Sequence, residues 1–400
     1  MSPKQAALNP DLKRLLDEGY EVDFQNGYLL VRSIPYVDAA RSVRTGILVT
    51  DLNENVGELL LPKDHQVWFA GEFPCHHTGA PIEAIRHTSD RLVLWDGFQV
   101  DHRFSNKPHG LTNYPDYYSK IKNYAQIICS EAQVIDPTAY PRTFKVLGSV
   151  DENSVFRYRD SASSRANIFA VSAKLATAKI AIIGLGGTGA YVLDLLAKTP
   201  IRQIHLFDGD LFLQHNAFRA PGAASIEILG RKLTKVDYYA RLYDAMHRGI
   251  VPHGEYVTVE NLDQLGAYDF VFLSVDKGSV RKLISDFLRQ KSVPFVDAGM
   301  GLMMGPDADN LLGTCRVTLS TATKTDHFPI HVPLDDDPLD DIYGTNIQVA
   351  DMNALCATLA VIKWKQFCGF YQDLSQVHHT TFSINSHSLT RGAMPDKPGA

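Results

Sequence analysis

The segment KIAIIGLGGTGAYVLDLLAKTPIRQIHLFDGD, from Lys179 to Asp210, constrains the fold more than any other part of the chain. It reads as an apolar strand, a glycine-rich turn, a helix, a second strand and an acidic pair. A strand that is apolar along its whole length has both faces covered, and a helical crossover returns the next strand parallel to the first. The predicted class is therefore α/β with a mainly parallel sheet. The same alternation continues downstream: strands are expected at 179–184, 203–207, 256–260, 270–275 and 294–297, and helices at 188–198, 232–246, 277–290 and 350–367. Ligands of such sheets bind outside the carboxyl ends of the strands, so functional side chains are sought in the loops that follow them.

Upstream, the pattern differs. The strand-like stretches YEVDFQNGYLLVRSIPYV, TGILVTDL and HQVWFAGEFP are punctuated by Gly and Pro. In YPDYYSKIKNYAQIICSEA, Tyr118, Ile121, Tyr124, Ile127 and Ile128 recur near helical spacing. Residues 1–150 are expected to form a smaller α+β domain, and no motif in it converts into chemistry. The polar, serine-rich stretch VDENSVFRYRDSASSRA marks the boundary, leaving 151–400 to the α/β domain.

Bulk properties exclude several classes. A net charge of −6 argues against a nucleic-acid binder, which presents a basic face. The five cysteines (Cys75, Cys129, Cys315, Cys356 and Cys368) are widely spaced and form no C-x-x-C pair. That pattern points to reduced thiols and no zinc ribbon. No apolar run reaches the ~18 residues that span a bilayer, and the first residues show no apolar signal segment. A cytoplasmic protein without membrane contact is expected.

In GLGGTG, Gly184, Gly186, Gly187 and Gly189 permit a tight turn, close approach of the backbone to a phosphate, and packing of the helix on the sheet. Asp208 closes the second strand, where an acid accepts hydrogen bonds from ribose hydroxyls. These features suit NAD as well as ATP; the residues that follow discriminate. Asn216 and Arg219 lie one helical turn apart, and the Arg fork clamps phosphate oxygens. Arg231, Lys232 and Lys235 add more cations than a diphosphate needs. Asp276 directly follows a buried strand, where a carboxylate serves either as a Mg²⁺ ligand bridging phosphates or as a helix N-cap.

Taken together, Gly-x-Gly-Gly-x-Gly, Asp208 eight positions before Asn216, Arg219, a helix-starting lysine and Asp276 resemble the E1-like adenylyltransferases, the superfamily of ThiF, MoeB and ubiquitin-activating enzymes. VPFVDAGMGLMMG resembles the segment after their catalytic aspartate. The resemblance implies a Rossmann-like domain that uses ATP and Mg²⁺ to adenylate the C-terminal carboxylate of a ubiquitin-like or sulfur-carrier protein, releasing pyrophosphate. It also implies an E2-like acceptor, a homodimer, and a setting in bacterial ubiquitin-like conjugation with antiphage defence as its role. Carried onto this chain, Gly184, Gly186, Gly187 and Gly189 hold the nucleotide, Asp208 the ribose, Asn216 and Arg219 the phosphates, and Asp276 the Mg²⁺. Family spacing points to Lys232 as the lysine on the triphosphate, whereas the local similarity of KVDYYARL favours Lys235. An arginine from the partner subunit completes the family's site, and YRDSASSRANI offers Arg159 by spacing and Arg165 by context.

Where thiol-transfer relatives carry a cysteine, the crossover RVTLSTATKTDHFPIHVPLDDDPLDDIYGTN has none. Ser320, Thr321 or Thr323 stands in its place, although a hydroxyl is a poor nucleophile without a base. Cys75 beside His76 and His77 reads as a transfer thiol activated by the histidines, as a metal site, or as a plain loop thiol. Cys315, Cys356 and Cys368 read as buried structural thiols, and the acidic run 335–341 as a solvated loop. The N-terminal domain is expected to recognise the carrier or the E2-like acceptor. An NAD-dependent oxidoreductase would leave Arg219, Lys235 and Asp276 without a role, and a ThiF-fold scaffold without catalysis would need none of them.

Overall fold

The structure, a computed structural model, describes residues 9–55, 58–145, 154–158, 160, 162–163, 168–177, 179–305, 307, 309–336 and 347–392. The chain divides into two units, 1–148 with 159–168, and 149–158 with 169–400.

In the first unit, helix α1 (Pro10–Asp17) is capped by Asn9, whose side chain accepts from the Asp11 and Leu12 amides at 2.9 and 3.2 Å. Strands β1 (Glu21–Gln25) and β2 (Tyr28–Val37) form a hairpin, because Asn26 and Gly27 take φ of +48° and +81°. Strands β3 (Val43–Asp51), β4 (Gln66–Ala70), β5 (Arg86–Thr88) and β8 (His102–Ser105) complete an antiparallel sheet in the order β1-β2-β3-β4-β8-β5. A separate hairpin joins β6 (Leu92–Trp95) to β7 (Phe98–Val100). Helix α2 (Tyr117–Ile135) is capped by Asp116 and lays Tyr117, Ile121, Tyr124 and Ile128 against the sheet's main core with Leu29, Val31, Leu48 and Phe69. The hairpin β6–β7 covers the other face, adding Trp95 and Phe98 to a small cluster around Leu30 and Val49.

The second unit carries an eight-stranded sheet. Its strands are β9 (Lys179–Ile183), β10 (Gln203–Phe207), β11 (Ile250–His253), β12 (Phe270–Leu273), β13 (Phe295–Met304), β14 (Leu311–Ser320), β15 (His379–Ser383) and β16 (Ser388–Gly392). They run in the order β11-β10-β9-β12-β13-β14-β15-β16. The first five named in that order are mutually parallel, and β14 to β16 add antiparallel strands. The α/β class with a mainly parallel sheet is thus the architecture observed. Helices α3 (Gly187–Leu196), α4 (Lys235–Asp244) and α6 (Ala350–Phe367) share one core with Ile180, Ile182, Phe270 and Phe272. Helix α5 (Gly278–Gln290) covers the opposite face, where Ile284 and Leu288 meet Ala181, Val271 and Leu273.

One expected strand is displaced. Residues 256–260 do not pair; β11 lies earlier and pairs Ile250 to His253 with Ile204 to Phe207. Asn261 is the physical reason: its side chain donates to the Tyr256 carbonyl at 2.9 Å and accepts from the Thr258 amide at 2.8 Å, closing a turn where a ladder would need extended backbone. The helix expected from residue 232 begins instead at Lys235, capped by Thr234, and Lys232 sits outside it at φ +50°.

Candidate functional site

The carboxyl edge of the parallel sheet carries the four glycines, Asp208 and Asp276. Gly184 follows β9 at φ +87°, and a Cβ there would lie 2.5 Å from the Ser274 carbonyl oxygen. Gly189 permits closest packing, since a Cβ would fall 1.9 Å from the Gly184 oxygen, whose other partner is the Ser274 hydroxyl at 2.8 Å. A Cβ on Gly187 would strike Asn353 of α6 at 2.1 Å. Gly186, the N-cap of α3, differs from these three: a Cβ on it meets nothing within 4 Å. Three glycines therefore serve packing, and one faces open space at a helix N-terminus, where unpaired amides attract anions.

Asp208 follows β10, is 7% exposed and fastens the turn. Its Oδ2 accepts from the Leu185 amide at 2.7 Å and from Lys235 Nζ at 3.3 Å, and its Oδ1 accepts from the Asp210 amide at 2.9 Å. A carboxylate has about four acceptor positions, so one remains for a ribose hydroxyl. Lys235, 6% exposed, also donates to Asp210 Oδ2 at 2.6 Å. Burial would raise the Asp210 carboxyl, but its hydrogen bonds from Lys235 and Tyr256 outweigh that and lower it. The structure thus separates the two candidate lysines: Lys235 is gathered in among the acids, and Lys232 is exposed outside the helix.

Asn216 is buried in the helical turn Gln214–Ala217, and its Oδ1 accepts from the Leu213 amide at 2.8 Å. Arg219 lies just beyond that turn. Its carbonyl is reached by Asn353 Nδ2 at 3.4 Å, and its buried Nε has no hydrogen-bond partner. Arg103 and Arg289 also bury an Nε without a partner, but Arg219 stands beside the nucleotide edge, where an oxyanion would satisfy it. Asp276 is exposed, two residues past Ser274 on the loop from β12 to α5, and its Oδ1 accepts from the Lys277 amide at 2.9 Å. Among the described residues no three His, Cys, Asp or Glu side chains converge as a metal cage. A single carboxylate fits Mg²⁺, which is held by one or two carboxylates together with substrate phosphates and water.

Behind this edge, Arg281 reaches Asp297 at 3.1 Å, the Pro333 carbonyl at 2.9 Å and the Val275 carbonyl at 2.5 Å, tying the Asp276 loop to the crossover. The acidic run is not wholly solvated, because Asp336 accepts from the Ser279 amide at 3.0 Å and caps α5; residues 337–341 lie outside the described residues. Arg159 and Arg165 also lie outside them.

Ser320 lies apart from the nucleotide edge. It is 1% exposed and pairs with Phe295 at the amino-terminal start of β13, whereas Asp297 pairs with Leu273 at the nucleotide edge. It therefore lies inside the sheet and away from Asp276. Thr321 and Thr323 follow on the same far side, with their hydroxyls 3.2 Å apart. Of the three readings of Cys75, its surroundings fit the plain loop thiol best. It is 2% exposed, and burial pushes its pKa up. His76 and His77 point their Nδ1 atoms at Glu131, at 2.9 and 2.7 Å. Cys315 and Cys356 are fully buried, and Cys368 is half-buried.

Sequence reasoning missed Asp210, Tyr256, Ser274 and Asn353. Asp210 stood in the acidic pair and carried a signal; the other three are recruited by tertiary packing. No described helix is long and apolar enough to cross a membrane.

The model of the ThiF family matches residues 163–362, and that of a domain of unknown function, DUF6791, matches residues 10–161. A comparison with curated proteins gave no match. Among solved structures, Escherichia coli MccB with ATP is 19% identical with a TM-score of 0.47, aligning over 60% of this chain and 70% of that one. The same protein with AMPCPP and MccA is 19% identical over 72% and 85%, with a TM-score of 0.48. PaaA is 17% identical over 56% and 75%, with a TM-score of 0.43.

Proposed function

Because the chain belongs to the ThiF family, we propose that it is an E1-like, ATP-dependent adenylyltransferase acting on the C-terminal carboxylate of a ubiquitin-like protein. One observation carries the reading: the open Gly186 turn, Asp208 with the helix-starting Lys235, the unpartnered Arg219 Nε and Asp276 all lie in loops or helix starts at one sheet edge.

In the proposed reaction a carboxylate oxygen of the carrier tail attacks the α-phosphorus of ATP. An oxygen–phosphorus bond forms, the bond from the α-phosphorus to its bridging oxygen breaks, and pyrophosphate leaves with the electron pair. The attacking carboxylate is already ionised, so no general base is required. Positioning and charge neutralisation are the protein's task, as in other phosphoryl chemistry. The α3 N-terminus receives phosphate oxygens, Asp208 orients the ribose, and Arg219 with Asn216 and Lys235 balances the charge that builds on the leaving group. Asp276 would hold Mg²⁺, which would supply further charge neutralisation.

The burial of Ser320 and Cys75 supports direct transfer of the acyl group to an outside acceptor, such as an E2-like protein. We assign carrier or acceptor recognition to residues 1–150, and adenylation to residues 151–400 as a cytoplasmic homodimer whose partner lends Arg159 or Arg165. Exchange of labelled pyrophosphate into ATP, measured with candidate ubiquitin-like tails, tests the reading. Exchange that requires a free tail carboxylate is expected. NADH binding with no response to ATP-Mg²⁺ would refute it.

A further inference from the structure

We infer that the ring of Tyr256 is the platform on which the adenine base of bound ATP stacks; the inference rests on the adenylyltransferase reading. Three neighbouring strand ends set out the ligand in order. The glycine turn follows β9, Asp208 follows β10, and Tyr256 lies three residues after the end of β11. Adjacent strands are about 4.8 Å apart, so the three loops cover roughly the length of a nucleotide. With phosphates over the first and ribose at the second, the base reaches the third.

The surroundings of Tyr256 fit that task. Its hydroxyl donates to Asp210, the neighbour but one of the ribose acid. Its ring rests on Gly209, where a Cβ would meet ring carbons at 2.7 to 2.9 Å. The residue is nevertheless 59% exposed, so much of the ring is open to a ligand. Asn261 braces the loop backbone through the Tyr256 carbonyl at 2.9 Å, and the hydroxyl bond to Asp210 restrains the ring. The hydrogen bond to Asp210, partial burial and the charges of Asp210, Asp208 and Asp276 together push the phenol up to about 12. Tyr256 thus stays neutral, and it lies within electrostatic reach of both the expected ribose acid and the expected Mg²⁺ ligand. A π-face offered beside those groups suits a flat, neutral purine.

The test is pyrophosphate exchange by the full chain with its carrier tail. Tyr256→Ala is expected to raise KM for ATP by about tenfold, the order of one base–aromatic stack, with kcat within twofold. Tyr256→Phe keeps the ring and is expected to keep KM within about threefold. Gly209→Ala, which displaces the ring without removing it, is expected to follow Tyr256→Ala. An unchanged KM in Tyr256→Ala overturns the inference. So does a Tyr256→Phe variant as impaired as Tyr256→Ala, because the hydroxyl on Asp210 would then be the cause. A fall in kcat at constant KM overturns it too, placing the effect on Asp210 and Lys235. Absence of exchange in the unmutated protein removes the underlying reading before any variant is compared.

Discussion

The two units distribute their charged groups differently. In the antiparallel unit, ionic groups are dispersed, most are met locally, and Arg103 Nε and His102 Nδ1 are buried without a partner. Lys120, fully buried, donates to Thr50 at 2.9 Å and approaches Asp64 at 3.5 Å. Asp38 accepts from Arg44 at 3.1 Å, and Glu131 takes both His76 and His77. In the parallel unit, Asp208, Asp210, Lys235, Arg219 and Asp276 gather beyond neighbouring strand ends. The difference is topological. Parallel strands send all their carboxyl ends to one edge, where loops and helix N-termini accumulate, whereas antiparallel strands alternate and build no such edge.

The largest expected contrast sets Asp276 against Cys75. Asp276→Ala is expected to lower pyrophosphate exchange by a hundredfold or more, on the order of losing a main electrostatic contact to the transition state. Cys75→Ser, in the other unit, should leave exchange within about twofold, as expected of a site without a catalytic contact. If Cys75→Ser lost comparable activity, chemistry would extend to both units and the contrast would fail.

Gly189 and Gly186 sharpen the same comparison within one turn. Gly189→Ala drives a Cβ to 1.9 Å from a backbone oxygen. Because that contact cannot relax by rotating a side chain, a loss of about 3 kcal/mol is expected in urea unfolding. Gly186→Ala meets nothing within 4 Å, so stability should hold while ATP affinity falls. Equal stability for the two variants would mean that the turn does not pack as described.

How much of this was legible in the sequence differs by residue. The glycine spacing, Asp208 and the buried strands announced the sheet and its edge, because continuous apolar runs and turn glycines are local signals. Asp276 and Arg219 were legible as a spacing. Tyr256 was hidden, since YVTVE alternates like a strand and only the turn made by Asn261 takes it out of the ladder. Asn353 was equally hidden: it sits 165 residues from the Thr188 hydroxyl that donates to it at 2.8 Å, a separation no local pattern conveys. Ser320 misled for a related reason, because position in the crossover does not disclose which end of a strand a residue occupies.

Lys235 and Lys232 come next in size. Lys235→Gln removes the cation shared by Asp208 and Asp210, so exchange should drop by tens of fold, in the range for one charged contact in a site. Lys232→Gln, exposed and outside the helix, should stay within about twofold, as for most surface changes. A larger effect at Lys232, measured under the same ATP-Mg²⁺ conditions, would return the triphosphate role to the family-spaced position.

The smallest expected effect is a difference in acid response. His205 is pushed down to about 4 by burial, then by the charges of His253 and Lys179, and its Nδ1 lies 2.9 Å from His253 Nε2. The folded unit therefore binds that proton more weakly than the unfolded chain does. Its contribution is complete above the usual 6.5 and is lost as pH falls toward 4. For Glu131, burial acts upward, but hydrogen bonds from His76 and from the His77 amide and ring outweigh it and hold the carboxyl at about 2. That contribution is complete above the usual 4.5 and is lost only as pH falls toward 2. Tryptophan variants report the units separately: Trp364→Phe leaves Trp68 and Trp95 of the antiparallel unit, and Trp68→Phe with Trp95→Phe leaves Trp364 of the parallel one. His205→Gln should flatten the loss of thermal midpoint between pH 6.5 and 4 in the Trp364 signal. Glu131→Gln should flatten the loss between pH 4.5 and 2 in the signal of the other two. Unchanged slopes in both variants would show that these groups do not set the acid response of their units.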